Sequence, residues 1–265
     1  MPVLGFIGTG NMGGALARAA AKADNELLLA NRSPEKAQKL IDEIGGRLCS
    51  NEEVAQQADF IFLGVKPQMM KDMLEEIKPV LARRRDRFFL VTMAAALTVS
   101  QIQEMAGGPY SVIRIMPNTP CAIGEGMILY SCGEGVNQAE EDAFLKAMAA
   151  AGRFSKLPEK LIDAGSSVAG CGPAFVDLFV EALADGGVAC GLPRAQAMEF
   201  AAQMVMGSAK LILESGKHPG LLKDQVCSPG GTTIQGVRAL EKGGFRSAVT
   251  EAVIAAYEKN FNLKI

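Results

Sequence analysis

A chain of 265 residues, 49% hydrophobic and 21% charged, can bury one large core or two modest ones, and this balance excludes a disordered chain. The formal net charge is −2 with both signs spread along the sequence, so no basic stripe offers itself to nucleic acid. Six cysteines without a C-x-x-C pair and a single histidine, His218, make neither a metal set nor a disulfide framework, and buried, reduced thiols in a cytoplasmic protein are expected.

The first apolar run, Val3–Ile7, starts right after Met1, which leaves no room for a signal peptide. No segment reaches the ~20 apolar residues of a membrane span, so no membrane partner is expected. Strands are predicted at Val3–Ile7, Glu26–Ala30, Phe60–Val65, Phe88–Thr92, Ser111–Ile115 and Met127–Ser131. Helical patterns fall between them at Met12–Lys22, Pro34–Ile44, Pro67–Leu81 and Val99–Met105, with Arg83-Arg84-Arg85 read as a solvated turn. A helix at Gln138–Ala150 and a short strand around Phe154 close this half. Strands apolar on both faces, alternating with helices, define an α/β fold with a mostly parallel sheet.

After Pro158 the strand signals vanish. From Met198 an i, i+3, i+4, i+7 apolar series runs through Ala201, Ala202, Val205, Met206, Ala209, Ile212 and Leu213. A further stretch, Ala248 to Ala256, is small and apolar over much of its girth, which suits burial or cover by a partner subunit. Two domains are therefore expected: 1–158, binding a dinucleotide, and 159–265, all helical.

Gly8-Thr9-Gly10-Asn11-Met12-Gly13 fits G-x-G-x-x-G, following a strand and opening a helix as a dinucleotide loop requires. Gly8 permits the tight turn, Gly10 lets backbone approach a pyrophosphate, and Gly13 lets the helix pack on the strand. At the end of the second strand stands Asn31-Arg32-Ser33, where an NAD enzyme normally carries a carboxylate. Arg32 and Ser33 can bond a 2′-phosphate, favouring NADP(H); the plain alternative is a surface arginine. The loops at Val65-Lys66-Pro67, Ala94-Ala95-Ala96 and Pro117-Asn118-Thr119-Pro120 follow parallel strands and emerge at the same edge, though turn chemistry alone would also explain them. Ser228-Pro229-Gly230-Gly231-Thr232-Thr233 precedes the helical pattern Ile234–Glu241. Free N–H groups and hydroxyls there would hold a carboxylate, and a capped helix without ligand explains the residues equally well. Asp177, Glu181 and Asp185 read as a solvated stripe. With no metal set and no histidine placed as an acid, a readily protonated imine suits the chain better as hydride acceptor than a plain ketone does.

Over nearly its whole length the chain resembles the pyrroline-5-carboxylate reductase family. The resemblance runs from Gly5-Phe6-Ile7-Gly8 through Val65-Lys66-Pro67, Met116 to Pro120 and Gly170-Cys171-Gly172-Pro173 to Ser228-Pro229-Gly230-Gly231-Thr232-Thr233. It implies a Rossmann domain followed by a helical dimerisation domain, interlocked homodimers, rings of dimers, and active sites shared between chains. It implies hydride delivery from NADPH, sometimes NADH, to a cyclic imine. By position, Thr233 matches the threonine that bonds the ring nitrogen, and Ser228, Gly230, Gly231 and Thr232 match the carboxylate-holding block. Asn31, Arg32 and Ser33 fall at the adenosine phosphate, Asn51 near the adenine ribose, and Val65, Lys66, Pro67, Ala94 and Ala95 along the cofactor path. The chain departs from some relatives at Gly216-Lys217 and Gln225. The 3-hydroxyacid dehydrogenases share the N-terminal pattern, but their catalytic lysine has no counterpart in the stretch 163–177.

Overall fold

The structure is a computed structural model that describes residues 1–23 and 25–261. The first part alternates β1 (Val3–Ile7), α1 (Asn11–Ala21), β2 (Glu26–Ala30), α2 (Pro34–Ile44), β3 (Arg47–Leu48), α3 (Asn51–Gln57), β4 (Phe60–Leu63) and α4 (Met70–Arg83). It continues with β5 (Phe89–Thr92), α5 (Val99–Ala106), β6 (Ser111–Met116), β7 (Gly126–Cys132), α6 (Gln138–Ala147) and β8 (Gly152–Lys156). The eight strands form one sheet in the order β3-β2-β1-β4-β5-β6-β7-β8. All neighbours are parallel except the β6–β7 pair. Strands β1, β2, β4, β5 and β6 are buried on both faces because helices cover both, with one core around Phe6, Phe62 and Phe144 and the other around Ile61, Leu63 and Leu74.

Several expectations need correction. The two-residue β3 and helix α3 carry no apolar period and were not foreseen, although Ser50-x-x-Glu53 spells a capping box that is fully formed. The helix expected at Pro67–Leu81 splits into a 3-10 turn, Pro67–Met69, and α4. The helix expected to reach Ala150 ends at Ala147, ahead of a 3-10 turn at Ala149–Ala151. Arg84 is not part of a solvated turn: its side chain is 5% exposed, donates to the carbonyls of Ala55 and Ala58, pairs with Asp86 and lies over the Phe88 ring. Only Arg83 and Arg85 face solvent there.

Between β7, α6 and β8 lie the buried Tyr130 and Glu141, reached from the surface by Lys156. Tyr130 donates to Glu141 at 2.7 Å and Lys156 donates to the other carboxylate oxygen. Burial pushes the Glu141 carboxyl up, but hydrogen bonds from Lys156 and Tyr130 more than offset it and leave it below its ordinary 4.5. Burial first, then the neighbouring carboxylate, pushes the Cys132 thiol up to about 11, so it is a poor nucleophile. A carboxylate lowered by folding adds stability that is complete above its unfolded value and is lost as pH falls through the folded one. Glu141→Gln should therefore be less stable than the parent at neutral pH, with the difference shrinking between about pH 5 and 3 in urea titrations. A difference that stays constant over that range would refute the ionised assignment.

After β8 the chain makes a 3-10 turn at Glu159–Leu161 and helix α7 (Ile162–Ala169). Arg114 on β6, 2% exposed, binds Asp163 at 2.7 Å and Glu159 at 3.5 Å, tying this segment to the sheet. Asn118 donates to the Ala169 carbonyl and accepts from the Met127 N–H, so the Pro117–Pro120 loop works as a clasp. The compact units divide just after: Met1–Cys171 with the chain from Ala256 onward, and Gly172–Ala255.

The second unit contains α8 (Gly172–Ala189), α9 (Arg194–Ser215), α10 (Pro219–Gln225), α11 (Thr232–Lys242) and most of α12 (Phe245–Phe261). Helices α8 and α9 pack through small residues, with Ala184, Ala197 and Ala201 buried. Large apolar side chains stay open to solvent, among them Leu178, Met206 and Leu213 at 68%, 58% and 67% exposure, so this chain alone leaves these faces uncovered. Asp185 of the acidic stripe pairs with Arg194. By length and composition the stretch Glu159–Ala189 could cross a membrane, against the expectation that none would, and it is broken at Gly170-Cys171. All six cysteines are free, but only Cys49 and Cys121 are buried, and Cys190 is exposed, contrary to the expected burial.

Candidate cofactor and substrate sites

The chain turns from β1 into α1 through a loop held by its neighbours. Gly8 has φ +99° and donates to the Ala30 carbonyl at 2.8 Å, while Gly64 donates to that of Ile7. A Cβ on Gly13 would sit 2.1 Å from the Gly8 carbonyl oxygen, so helix and loop touch backbone to backbone. The Thr9 N–H donates to Asn31 Oδ1 at 3.2 Å, and Asn31 in turn donates to the Ser33 carbonyl, locking the loop to the end of β2. At the N-cap of α1 stands Gly10, with no side-chain cap, no acid in the first turn, and open space where a Cβ would go. The Thr9 hydroxyl is buried and has no hydrogen-bond partner among the described residues. Free helix N–H groups, an orphan hydroxyl and room at Gly10 fit a pyrophosphate. Gly10→Ala should leave the melting temperature unchanged and weaken NADPH binding by about tenfold or more, since its Cβ meets only ligand. Gly13→Ala should lower both, through about 1–3 kcal/mol of overpacking. Equal behaviour of the two variants in melting and titration would contradict this division.

Around that loop lies a cavity of about 510 Å³ where the strand order reverses between β1 and β4. Of the residues singled out in the sequence, Gly8, Gly10, Asn31, Arg32, Ser33, Asn51, Val65 and Lys66 line it. Thr9, Asn11, Met12, Gly13 and Pro67 lie in the adjoining loops without lining it. Ala94 and Ala95 are not brought to it: Ala94 is buried in one core and Ala95 packs near Met116 and Leu129. Ala96 beside them takes the left-handed conformation with φ 61°, which is strained for a residue with a Cβ. The sequence reading missed Lys36, Gly64, Met69 at the end of the 3-10 turn and, from α4, Asp72, Met73 and Glu76. The acceptor that holds Asn51 is Glu76, at 2.9 Å. Position on α2 and α4 relative to the preceding strand ends could have found these residues; no motif marks them.

In the second unit Ser228 to Gly231 form a turn closed by the Gly231 N–H donating to the Ser228 carbonyl at 3.0 Å. Gly231 is the N-cap of α11 and no side chain caps that helix. Thr232 and Thr233 are exposed, and neither hydroxyl has a hydrogen-bond partner among the described residues. The capped-helix alternative is thus not what the chain adopts. His218 is occupied otherwise, its Nδ1 accepting from the Gly220 N–H at the start of α10.

A mostly parallel sheet with this loop and cavity at its point of strand-order reversal defines the chain as a dinucleotide-binding protein of the Rossmann type. A family model described as pyrroline-5-carboxylate reductase dimerisation matches residues 159–263, and one described as NADP oxidoreductase coenzyme F420-dependent matches residues 3–95. The pyrroline-5-carboxylate reductase of Arabidopsis thaliana is 41% identical over 98% of this chain and 95% of its own length. That of Escherichia coli strain K12 is 42% identical over 98% and 97%. A solved Plasmodium falciparum pyrroline carboxylate reductase with NADP bound superposes with a TM-score of 0.86 at 34% identity, covering 98% of this chain and 97% of that one. The chain belongs to the pyrroline-5-carboxylate reductase family.

Proposed function

We propose that this chain reduces 1-pyrroline-5-carboxylate to L-proline with NADP(H), accepting NAD(H) as a second donor. The observation that carries the reading is identity above 40% over nearly the full length of enzymes named for this reaction. The chemistry supplied by bound NADPH is a hydride to the C=N carbon. The chain's residues do the rest. The turn Ser228, Gly230, Gly231 and Thr232 holds the substrate carboxylate at the start of α11, through its N–H groups other than that of Gly231, which donates to the Ser228 carbonyl and shapes the turn. The Thr233 hydroxyl bonds the ring nitrogen and orients the imine. Gly8, Thr9, Gly10, Asn11, Met12 and Gly13 hold the pyrophosphate; Asn31, Arg32 and Ser33 meet the adenosine phosphate; Asn51 meets the ribose. Val65, Lys66, Pro67, Ala94 and Ala95 border the nicotinamide path.

Residues 1–158 act as the cofactor domain and 159–265 as the substrate and dimerisation domain, the last four residues of that range lying outside those described. Homodimers share active sites and assemble into rings, covering the exposed faces of α8, α9 and α12. The enzyme works in the cytoplasm, where its free thiols stay reduced. The test follows NADPH absorbance on addition of pyrroline-5-carboxylate, with NADH in parallel. Substrate-dependent loss, faster with NADPH, is expected. Equal or faster loss with NADH would remove the phosphate role of Asn31 to Ser33, and no loss with either cofactor would sink the reaction.

A further inference from the structure

The loop that leaves β5 is held in a strained conformation from both ends. Ala96, in its turn, has φ 61°, a left-handed conformation that is costly for a residue with a Cβ. On the strand side the Ala94 N–H donates to the Thr92 hydroxyl at 3.4 Å, and Ala94 is buried. On the helix side Leu97 is buried, and a capping box between Thr98 and Gln101 opens α5. One N–H of that first turn is satisfied from far along the chain. Val99 donates to Glu159 Oε1 at 2.7 Å, 60 residues away. The same oxygen lies 3.5 Å from Arg114, which is itself paired with Asp163. Ile162 is buried in the small cluster against which Ala95 packs. The segment 159–163 therefore meets the loop twice, once through a charge-assisted hydrogen bond and once through packing.

We infer that Glu159 is a positioning residue for hydride transfer: by tying the start of α5 to Arg114, it keeps the Ala94–Ala96 turn in the shape that seats the nicotinamide. The inference rests on the reading above that Ala94 and Ala95 border the nicotinamide path. A carboxylate suits the task because it faces the positive end of α5 and Arg114 at once. Without it the helix start is held less firmly, and the strain at Ala96 drives the turn to relax.

The test uses the full-length protein and two readouts: the emission of bound NADPH, which reports the surroundings of its nicotinamide ring, and kcat with pyrroline-5-carboxylate. Glu159 is about one-third exposed, so its variants keep their fold, and melting curves check this. Glu159→Ala should lower kcat about tenfold and change the emission of bound NADPH. The Kd for NADPH should stay within about twofold, since the loop does not line the nucleotide cavity. Glu159→Gln, whose amide oxygen still accepts from Val99, should keep most of the rate. Adding Ala96→Gly, which relieves the strain, should return much of what Glu159→Ala loses, measured against Ala96→Gly alone. A residue that only stabilises the fold through Arg114 would make glutamine and alanine behave alike, with no rescue by glycine. Either result overturns the inference, as does an alanine variant that matches the parent in both readouts. A parent that binds NADPH without turnover would sink the reductase reading, and the emission would still judge Glu159; a parent that binds no NADPH would overturn both.

Discussion

Replacing Thr233 by alanine is expected to lower kcat about 100-fold, the usual loss for one donor aimed at the reacting centre, while the Kd for NADPH stays within about twofold. The separation follows from position. Thr233 lies in the first turn of α11, in the second unit, whereas every residue lining the nucleotide cavity lies in the first. The change is also mild for the fold. Gly231, not Thr233, is the N-cap, the threonine is exposed, and alanine is the better helix former. Melting temperature should accordingly hold or rise slightly. Thr233→Ser, which keeps the hydroxyl, should recover most of the rate. If the alanine variant turned over as fast as the parent, or if serine failed to rescue, the hydroxyl would have no part in the reaction.

Arg114→Ala should cost about 3 kcal/mol of stability, the lower end for breaking a buried ion pair, and lower the melting temperature by roughly 10 °C. The guanidinium is 2% exposed and faces Asp163 and Glu159, each about one-third exposed, so water partly screens the carboxylates left behind. Glu159 also accepts from the Val99 N–H at 2.7 Å, so the same loss loosens the start of α5. The Nε of Arg114 has no hydrogen-bond partner among the described residues, a desolvation cost already present in the parent. Replacing all three charges together, Arg114→Met with Glu159→Gln and Asp163→Asn, should recover part of the loss. A drop below about 1 kcal/mol for Arg114→Ala in urea titration would show that the network holds nothing in place.

Much of the first unit was legible because its strands are apolar runs bounded by turn residues. Val3–Ile7 and Glu26–Ala30 match the expected bounds. What escaped has physical reasons. The two-residue β3 is exposed and has no pattern to show, and α3 is too short to display a period, its only mark being the Ser50–Glu53 box. Buried charge is invisible to hydropathy. Arg114 sits in a strand that reads as apolar, and Glu141 in a helix that reads as a surface one, because their partners lie 49 and 15 residues away. Half of the nucleotide cavity was legible through the glycine loop and Asn31 to Ser33. Lys36, Asp72 and Glu76 were not, since they reach the cavity only through the placement of α2 and α4. The loop Pro117–Pro120 is legible as one that leaves a parallel strand at the ligand edge, but its work as a clasp on Ala169 depends on a partner 51 residues away.

The one antiparallel junction in the sheet decides where the chain emerges from its first unit. Because β7 runs against β6 and β8 runs with β7, the polypeptide leaves β8 at the edge remote from the nucleotide loops. Helix α7 then carries it back past Arg114 to Asn118, beyond the carboxyl end of β6. Had β7 and β8 followed the direction of the others, the same helix would have ended on the far side. Strand parity, rather than any single side chain, makes the exit point and the nucleotide loops share one rim.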